Sequence, residues 1–86
     1  MNSAELTDLY RSHAPLVHAR ARRLLGSEAD DVVQEVFLRL VRRAPPADHA
    51  EQWINSITTH LCLDRLRRQR LRSDAWQVEL SAHLDV

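Results

Sequence analysis

Apolar residues recur at helical spacing along most of this chain. Leu6, Leu9, Tyr10, Val17, Ala21 and Leu24 share one side of a first segment and predict a helix over about 3–25. Pro15 lies inside it and removes the hydrogen bond to the Arg11 carbonyl, so a kink or break near His13 is expected. Gly26 suits the left-handed position that closes a helix. Ser27, with Asp30 three residues later, is expected to cap a second helix over about 28–43. Arg42 and Arg43 at its end complement the helix dipole. The stretch "APPADH" then stops the helix at Pro45 and Pro46. Asp48 with Glu51 reads as a capping box for a third helix running to about Arg72, with Ile54, Ile57, Leu61 and Leu66 on its apolar side. The tail "SDAWQVELSAHLDV" has two readings: a short fourth helix through Trp76 and Leu80 capped by Asp74, or a frayed linker. The expected fold is all-α, a small bundle of three main helices with a candidate short C-terminal one.

The second helix has two dissimilar sides. At about 100° per residue, Val33, Val36, Phe37 and Leu40 gather on one, with Ala29 behind them. Asp31, Gln34, Glu35, Leu38 and Arg42 gather on the other, so a leucine sits inside an acidic, solvent-facing strip. A plain solvated face is the competing reading, because Glu35 and Arg39 form a favourable i, i+4 pair and single exposed leucines are common. Against it, Asp31 and Glu35 are like charges one turn apart, which a basic partner groove would offset, with Leu38 inserting as an apolar anchor.

Composition narrows the class. Eighty-six residues, 44% hydrophobic with a single glycine, suit one all-helical domain with a modest core. One cysteine, Cys62, excludes an internal disulfide, and neither a membrane span nor a signal-peptide core is visible, so a cytoplasmic protein is expected. The net charge of zero hides a segregation. Residues 28–35 carry Glu28, Asp30, Asp31 and Glu35 without a base; residues 65–72 carry Arg65, Arg67, Arg68, Arg70 and Arg72 without an acid. Two surfaces of opposite sign imply two different partners.

Catalytic chemistry has no foothold. His60 and Cys62, like His13 and His18, lack the i, i+4 spacing that puts two ligands on one helical face, and no glycine-rich loop or nucleophile turn exists, so neither an enzyme, a metal site nor a cofactor is expected. The arginine run is more informative. Arg65, Arg68 and Arg72 at i, i+3 and i+7 project from one face at a pitch suited to successive phosphates, although a solvated helix end complementing its own dipole is an equal reading. Trp53, in the first turn of its helix, is either a core anchor or a platform on which a base stacks.

Taken in order, D-x-x-Q-E at Asp31–Glu35, "VFLRL" after it, a short loop, "WINSI" and "LDRLRR" form a specific combination. The segment from Glu5 to Arg72 resembles region 2 of a bacterial sigma factor of the sigma-70 family, most of all the extracytoplasmic-function (ECF) group. The resemblance implies a domain over 1–72, with 73–86 a tail or the start of an interdomain linker. It implies docking of Asp31, Gln34, Glu35, Leu38 and Arg42 on the clamp helices of the RNA polymerase beta-prime subunit. It also implies recognition of the melted promoter −10 element. Pro46, Ala47, Asp48 and His49 would form the loop beside a flipped base, and Trp53, Asn55, Ser56, Thr59 and His60 would line the strand. Arg65, Arg67 and Arg68 would hold backbone phosphates. An anti-sigma factor is a further candidate partner. The alternative is a helical interaction module that docks on or sequesters a protein partner without reading DNA. A duplex-reading helix-turn-helix is weaker, because the proline loop is longer than that motif's turn.

Overall fold

The computed structural model describes residues 2–84, with the backbone alone for 83 and 84. It is all-α: α1 (Ser3–Leu25), a 3₁₀ turn (Gly26–Glu28), α2 (Ala29–Arg43), a second 3₁₀ turn (Ala47–His49) and α3 (Ala50–Leu84). α1 opens on a capping box. The Asn2 side chain accepts from the Glu5 backbone N–H at 2.8 Å, and the Glu5 carboxylate accepts from the Asn2 N–H at 3.3 Å.

Three local expectations are corrected. α1 is not broken at Pro15 but continues to Leu25. Pro15 and Leu16 face solvent, whereas Ala14 and Val17 on either side are buried, so tertiary packing holds the turn that lost a hydrogen bond. Neither expected cap forms at the next two helices. Ser27 lies inside the first 3₁₀ turn, and α2 starts behind Glu28 with no side-chain cap bond. Its first-turn Asp30 and Asp31 supply the favourable charge instead. Asp48 likewise lies inside the second 3₁₀ turn, where it pairs with His49 at 3.4 Å. Finally, the tail is neither a separate helix capped by Asp74 nor a frayed linker. α3 passes through Arg72 and Ser73 without interruption to Leu84, because no Gly or Pro stands there to stop it.

The core is a column of small and aliphatic side chains between three helices. α1 contributes Ala14, Val17, Ala21 and Leu25; α2 contributes Ala29, Val32, Val33, Val36, Phe37 and Leu40; α3 contributes Ala50, Ile54, Leu61 and Cys62. Leu6, Leu9, Trp53, Ile57 and Leu66 close its edges. Thr58, the buried polar residue, donates its hydroxyl to the Ile54 carbonyl at 2.7 Å and is thereby satisfied. Two residues of the expected α1 stripe, Tyr10 and Leu24, are exposed. Tyr10 instead rests on the rim, its ring edge-on to Phe37 at a centroid distance of 4.9 Å and 64°.

The half-buried Gln69 amide donates to Glu28 and ties α3 to the first 3₁₀ turn. Beyond it, residues 70–82 are all exposed, and α3 leaves the bundle as a lone arm that stretches the molecule to 61 × 20 × 17 Å. No helix of the described residues is long and apolar enough to cross a membrane.

Candidate functional site

The buried stripe of α2 fixes what its opposite side presents. With Val32, Val33, Val36 and Leu40 turned inward, Asp31, Gln34, Leu38 and Arg42 stand exposed and Glu35 stands half-exposed. The Asp31 carboxylate has no ion-pair partner among the described residues. Glu35 accepts a 2.8 Å hydrogen bond from Arg39 Nε of the same helix. That bond, the largest influence, holds the Glu35 carboxyl below its ordinary 4.5; desolvation opposes it, and the charges of Arg39, Arg42 and Arg65 add to the lowering. The strip therefore keeps its negative charge facing outward.

The strip also has relief. Asp31 and Gln34 line an open groove of about 600 Å³ between α1 and α2, with Tyr10, Arg11 and Ala14 on the other wall. Across that groove His18 Nε2 meets the Asp30 carboxylate at 3.1 Å and joins the two helices. Leu38 is 51% exposed, and Val41 beside it is 55% exposed. Val41 was not expected in the strip, yet with Phe37 of the same helix it lines a neighbouring apolar groove opposite Leu6 and Tyr10 of α1. The apolar element of the strip is thus a pair, a fact hidden in sequence because Val41 fits a core pattern as readily as a surface one.

On α3, Asn55, Ser56, Thr59, His60 and Arg67 are all exposed. At about 100° per residue they span an arc opposite the buried Ile54, Thr58 and Leu61. Pro46, Ala47, Asp48 and His49 lie exposed at the N-terminal end of this helix, and the His49 N–H closes the turn on the Pro46 carbonyl at 2.9 Å. Trp53 is half-buried against the core. Its other side lines a groove of about 490 Å³ with Ile57, Arg39, Arg42 and Arg43. Trp53 and Arg42, assigned to different partners by the resemblance, thus share one depression.

The three arginines expected to act together do not share a situation. Arg67 is exposed on the outward arc. Arg68 is held by Asp64 one turn earlier at 2.8 Å. Arg65 lies roughly 160° around the helix from Arg67, half-buried on the side turned to the core, where its charge reaches Glu35 and Cys62. Arg65, Arg68 and Arg72 still share one side of the continuous α3, but Arg65 is half-buried and Arg68 is paired with Asp64 along the helix. A residue of α1 reaches the exposed arc of α3. Arg20 Nη1 donates to Thr59 Oγ1 at 3.2 Å, and that hydroxyl in turn donates to the Asn55 carbonyl at 3.0 Å. The run "ARARR" at 19–23 was the signal for it, masked by the longer arginine run of α3.

His60 and Cys62 point apart, one exposed and the other buried, and burial pushes the Cys62 thiol up from its ordinary value. No group of metal-ligating side chains forms among the described residues.

Comparison with known proteins identifies the family of the chain. Residues 9–72 match the family model of sigma-70 region 2. The ECF RNA polymerase sigma factor SigE of Mycolicibacterium smegmatis (strain ATCC 700084 / mc(2)155) is 40% identical over 73 residues. The match covers 79% of this chain and 28% of that relative's length. No solved structure matches the chain significantly. The matched span opens at Leu9 in α1 and closes at Arg72, just past the Gln69–Glu28 bond where α3 leaves the bundle, so the family unit and the packed unit nearly coincide. This chain belongs to the sigma-70 region 2 family, and its likeness is to the ECF group.

Proposed function

We propose that the chain acts as the part of an ECF-type sigma factor that binds core RNA polymerase and captures the melted −10 element of a promoter. The observation that carries the reading is the outward strip of α2: Asp31, Gln34, Leu38 and Arg42 stand exposed, and Glu35 is paired only along its own helix. Such a strip suits a basic and apolar groove like that of the beta-prime clamp helices, where the carboxylates meet cations and Leu38 with Val41 is buried. The exposed arc of α3 supplies the second activity. Unpaired bases call for polar edge contacts and stacking, which Asn55, Ser56, Thr59, His60 and the Pro46–His49 turn offer beside Trp53, while Arg67 offers charge to the phosphates. The mechanism is binding and strand capture; bond making belongs to the polymerase. Residues 1–72 form the working domain in this reading, its setting is the cytoplasm, and 73–86 are a tail or linker whose part up to Leu84 continues α3.

A second reading, a helical module that docks on a protein without reading DNA, draws support from the engagement of Arg65 and Arg68 within the fold. One experiment divides the two. Purified core polymerase should retain the wild-type chain and lose Glu35→Arg, and single-stranded −10 oligonucleotides should bind the chain more tightly than duplex. Retention of polymerase with equal, weak binding to every polyanion leaves the module alone. Retention of Glu35→Arg as well as wild type removes the strip of α2 as the docking surface.

A further inference from the structure

We infer that the groove between α1 and α3 is a second seat for the phosphate backbone of a single nucleic-acid strand, with Arg20 and Arg23 of α1 as the holding residues. The inference rests on the strand-capture reading and extends it from one helix to two. The groove encloses about 320 Å³, and its polar lining is His13, Arg20, Arg23, Asn55 and Thr58, with no acidic side chain. It lies beside the outward arc of α3, because Asn55 lines it and Thr59 is bonded to Arg20 at its edge.

The state of Arg20 separates it from Arg39 and Arg68. Arg39 and Arg68 are each paired with a carboxylate one turn away on their own helix, so an arriving phosphate would compete with that carboxylate. Arg20 is positioned by a neutral partner, the Thr59 hydroxyl at 3.2 Å, and no carboxylate pairs with it among the described residues. A guanidinium carries five N–H donors in a rigid fork. One bond to Thr59 orients that fork while leaving the full charge and most donors free for an anion. Orientation before binding lowers the entropy lost when a phosphate arrives. Arg23 is exposed, lies on the same groove and has no carboxylate partner among the described residues. Two uncompensated cations in one groove, next to amide and hydroxyl groups suited to base edges, fit a strand whose phosphates run along α1 while its bases face α3. This route adds two cations to the exposed Arg67 of α3.

The test uses the 86-residue chain and a dye-labelled oligothymidylate of about twelve nucleotides, followed by fluorescence anisotropy between about 50 and 200 mM salt. Arg20→Gln keeps a donor for Thr59 and removes the charge. It should lower the slope of log affinity against log salt by about 0.7, and with Arg23→Gln added by about 1.4. Circular dichroism melting shows whether each variant is folded. Arg23→Gln alone, at an exposed position with no internal bond, carries the test if Arg20→Gln is not. Absence of binding by the wild type sinks the strand-capture reading beneath the inference. Binding by the wild type with an unchanged slope in the folded Arg20 and Arg23 variants sinks the inference alone. Equal losses against a polyglutamate peptide also overturn it, since the groove would then be a general anion site and not a strand seat.

Discussion

Arg39 donates a 2.8 Å hydrogen bond from Nε to the Glu35 carboxylate one turn before it, and the pair runs along α2 rather than across to another helix. A carboxylate tied in that way is oriented but still presented to the outside. Had Glu35 bonded to α1 or α3, the D-x-x-Q-E strip would be part of the bundle's internal wiring and could not dock on a second protein.

The first prediction concerns that docking. Asp31→Arg and Glu35→Arg should each weaken binding to a polymerase clamp-helix fragment by at least about tenfold, because a cation then faces the basic partner. Far-ultraviolet circular dichroism should be unchanged, since neither side chain bonds to another helix. Isothermal titration against the fragment checks it; unaltered affinity in a folded variant assigns the strip to solvent.

Leu38 should behave as an anchor without being a pillar. Leu38→Ala is expected to cost about 1–2 kcal/mol of binding and less than about 0.5 kcal/mol of folding stability, because the side chain is half-exposed. Leu40→Ala, two residues on and fully buried, should show the reverse pattern: a stability loss of about 2–5 kcal/mol in urea unfolding. Similar stability losses in both variants would mean that Leu38 packs inside.

The Glu35 carboxyl should respond to acid through Arg39. Its folded value lies below the ordinary 4.5, chiefly through the Arg39 hydrogen bond. A folded value lower than the unfolded one contributes stability that is fully present above about pH 4.5 and fades as the pH falls through the folded value. Arg39→Ala should therefore move the Glu35 midpoint up toward 4.5 in a carbon-detected NMR titration. A midpoint that stays where it was would show that the pair is not formed in solution.

Backbone conformation gives a test independent of any partner. Ala44 closes α2 in the left-handed region, with φ 44° and ψ 59°, and its N–H bonds to the Leu40 carbonyl at 2.9 Å. Glycine adopts that conformation without the Cβ penalty, so Ala44→Gly should stabilise the fold by about 0.5–1 kcal/mol despite the greater freedom of the unfolded chain. Chemical denaturation decides it: a loss of stability would mean that the cap does not persist.

Much of this architecture was legible in the residues themselves. The 3.6-residue recurrence of Val33, Val36, Phe37 and Leu40 is a property of one helix and needs no neighbour to be read, so the two sides of α2 followed from spacing alone. The same logic placed Ile54 and Leu61 inward, whereas Asn55, Ser56, Thr59 and His60 were singled out by the resemblance and stand exposed. The end of α3 was misread because Ser73 and Asp74 look like a cap only when a break precedes them. With helix-forming residues on both sides and no Gly or Pro, α3 continues.

What tertiary structure alone decided is which side chains meet or are covered between helices. Spacing put Arg65, Arg68 and Arg72 in one row and Asp64 one turn before Arg68, but the packing of α3 leaves Arg65 half-buried. It also brought Arg20 against Thr59, a pair 39 residues apart that no local pattern contains. Helical periodicity is set by a repeating backbone geometry within one segment, whereas the partner of a side chain across a groove depends on where another helix lies. The first is written in the order of residues; the second exists only once the helices have packed.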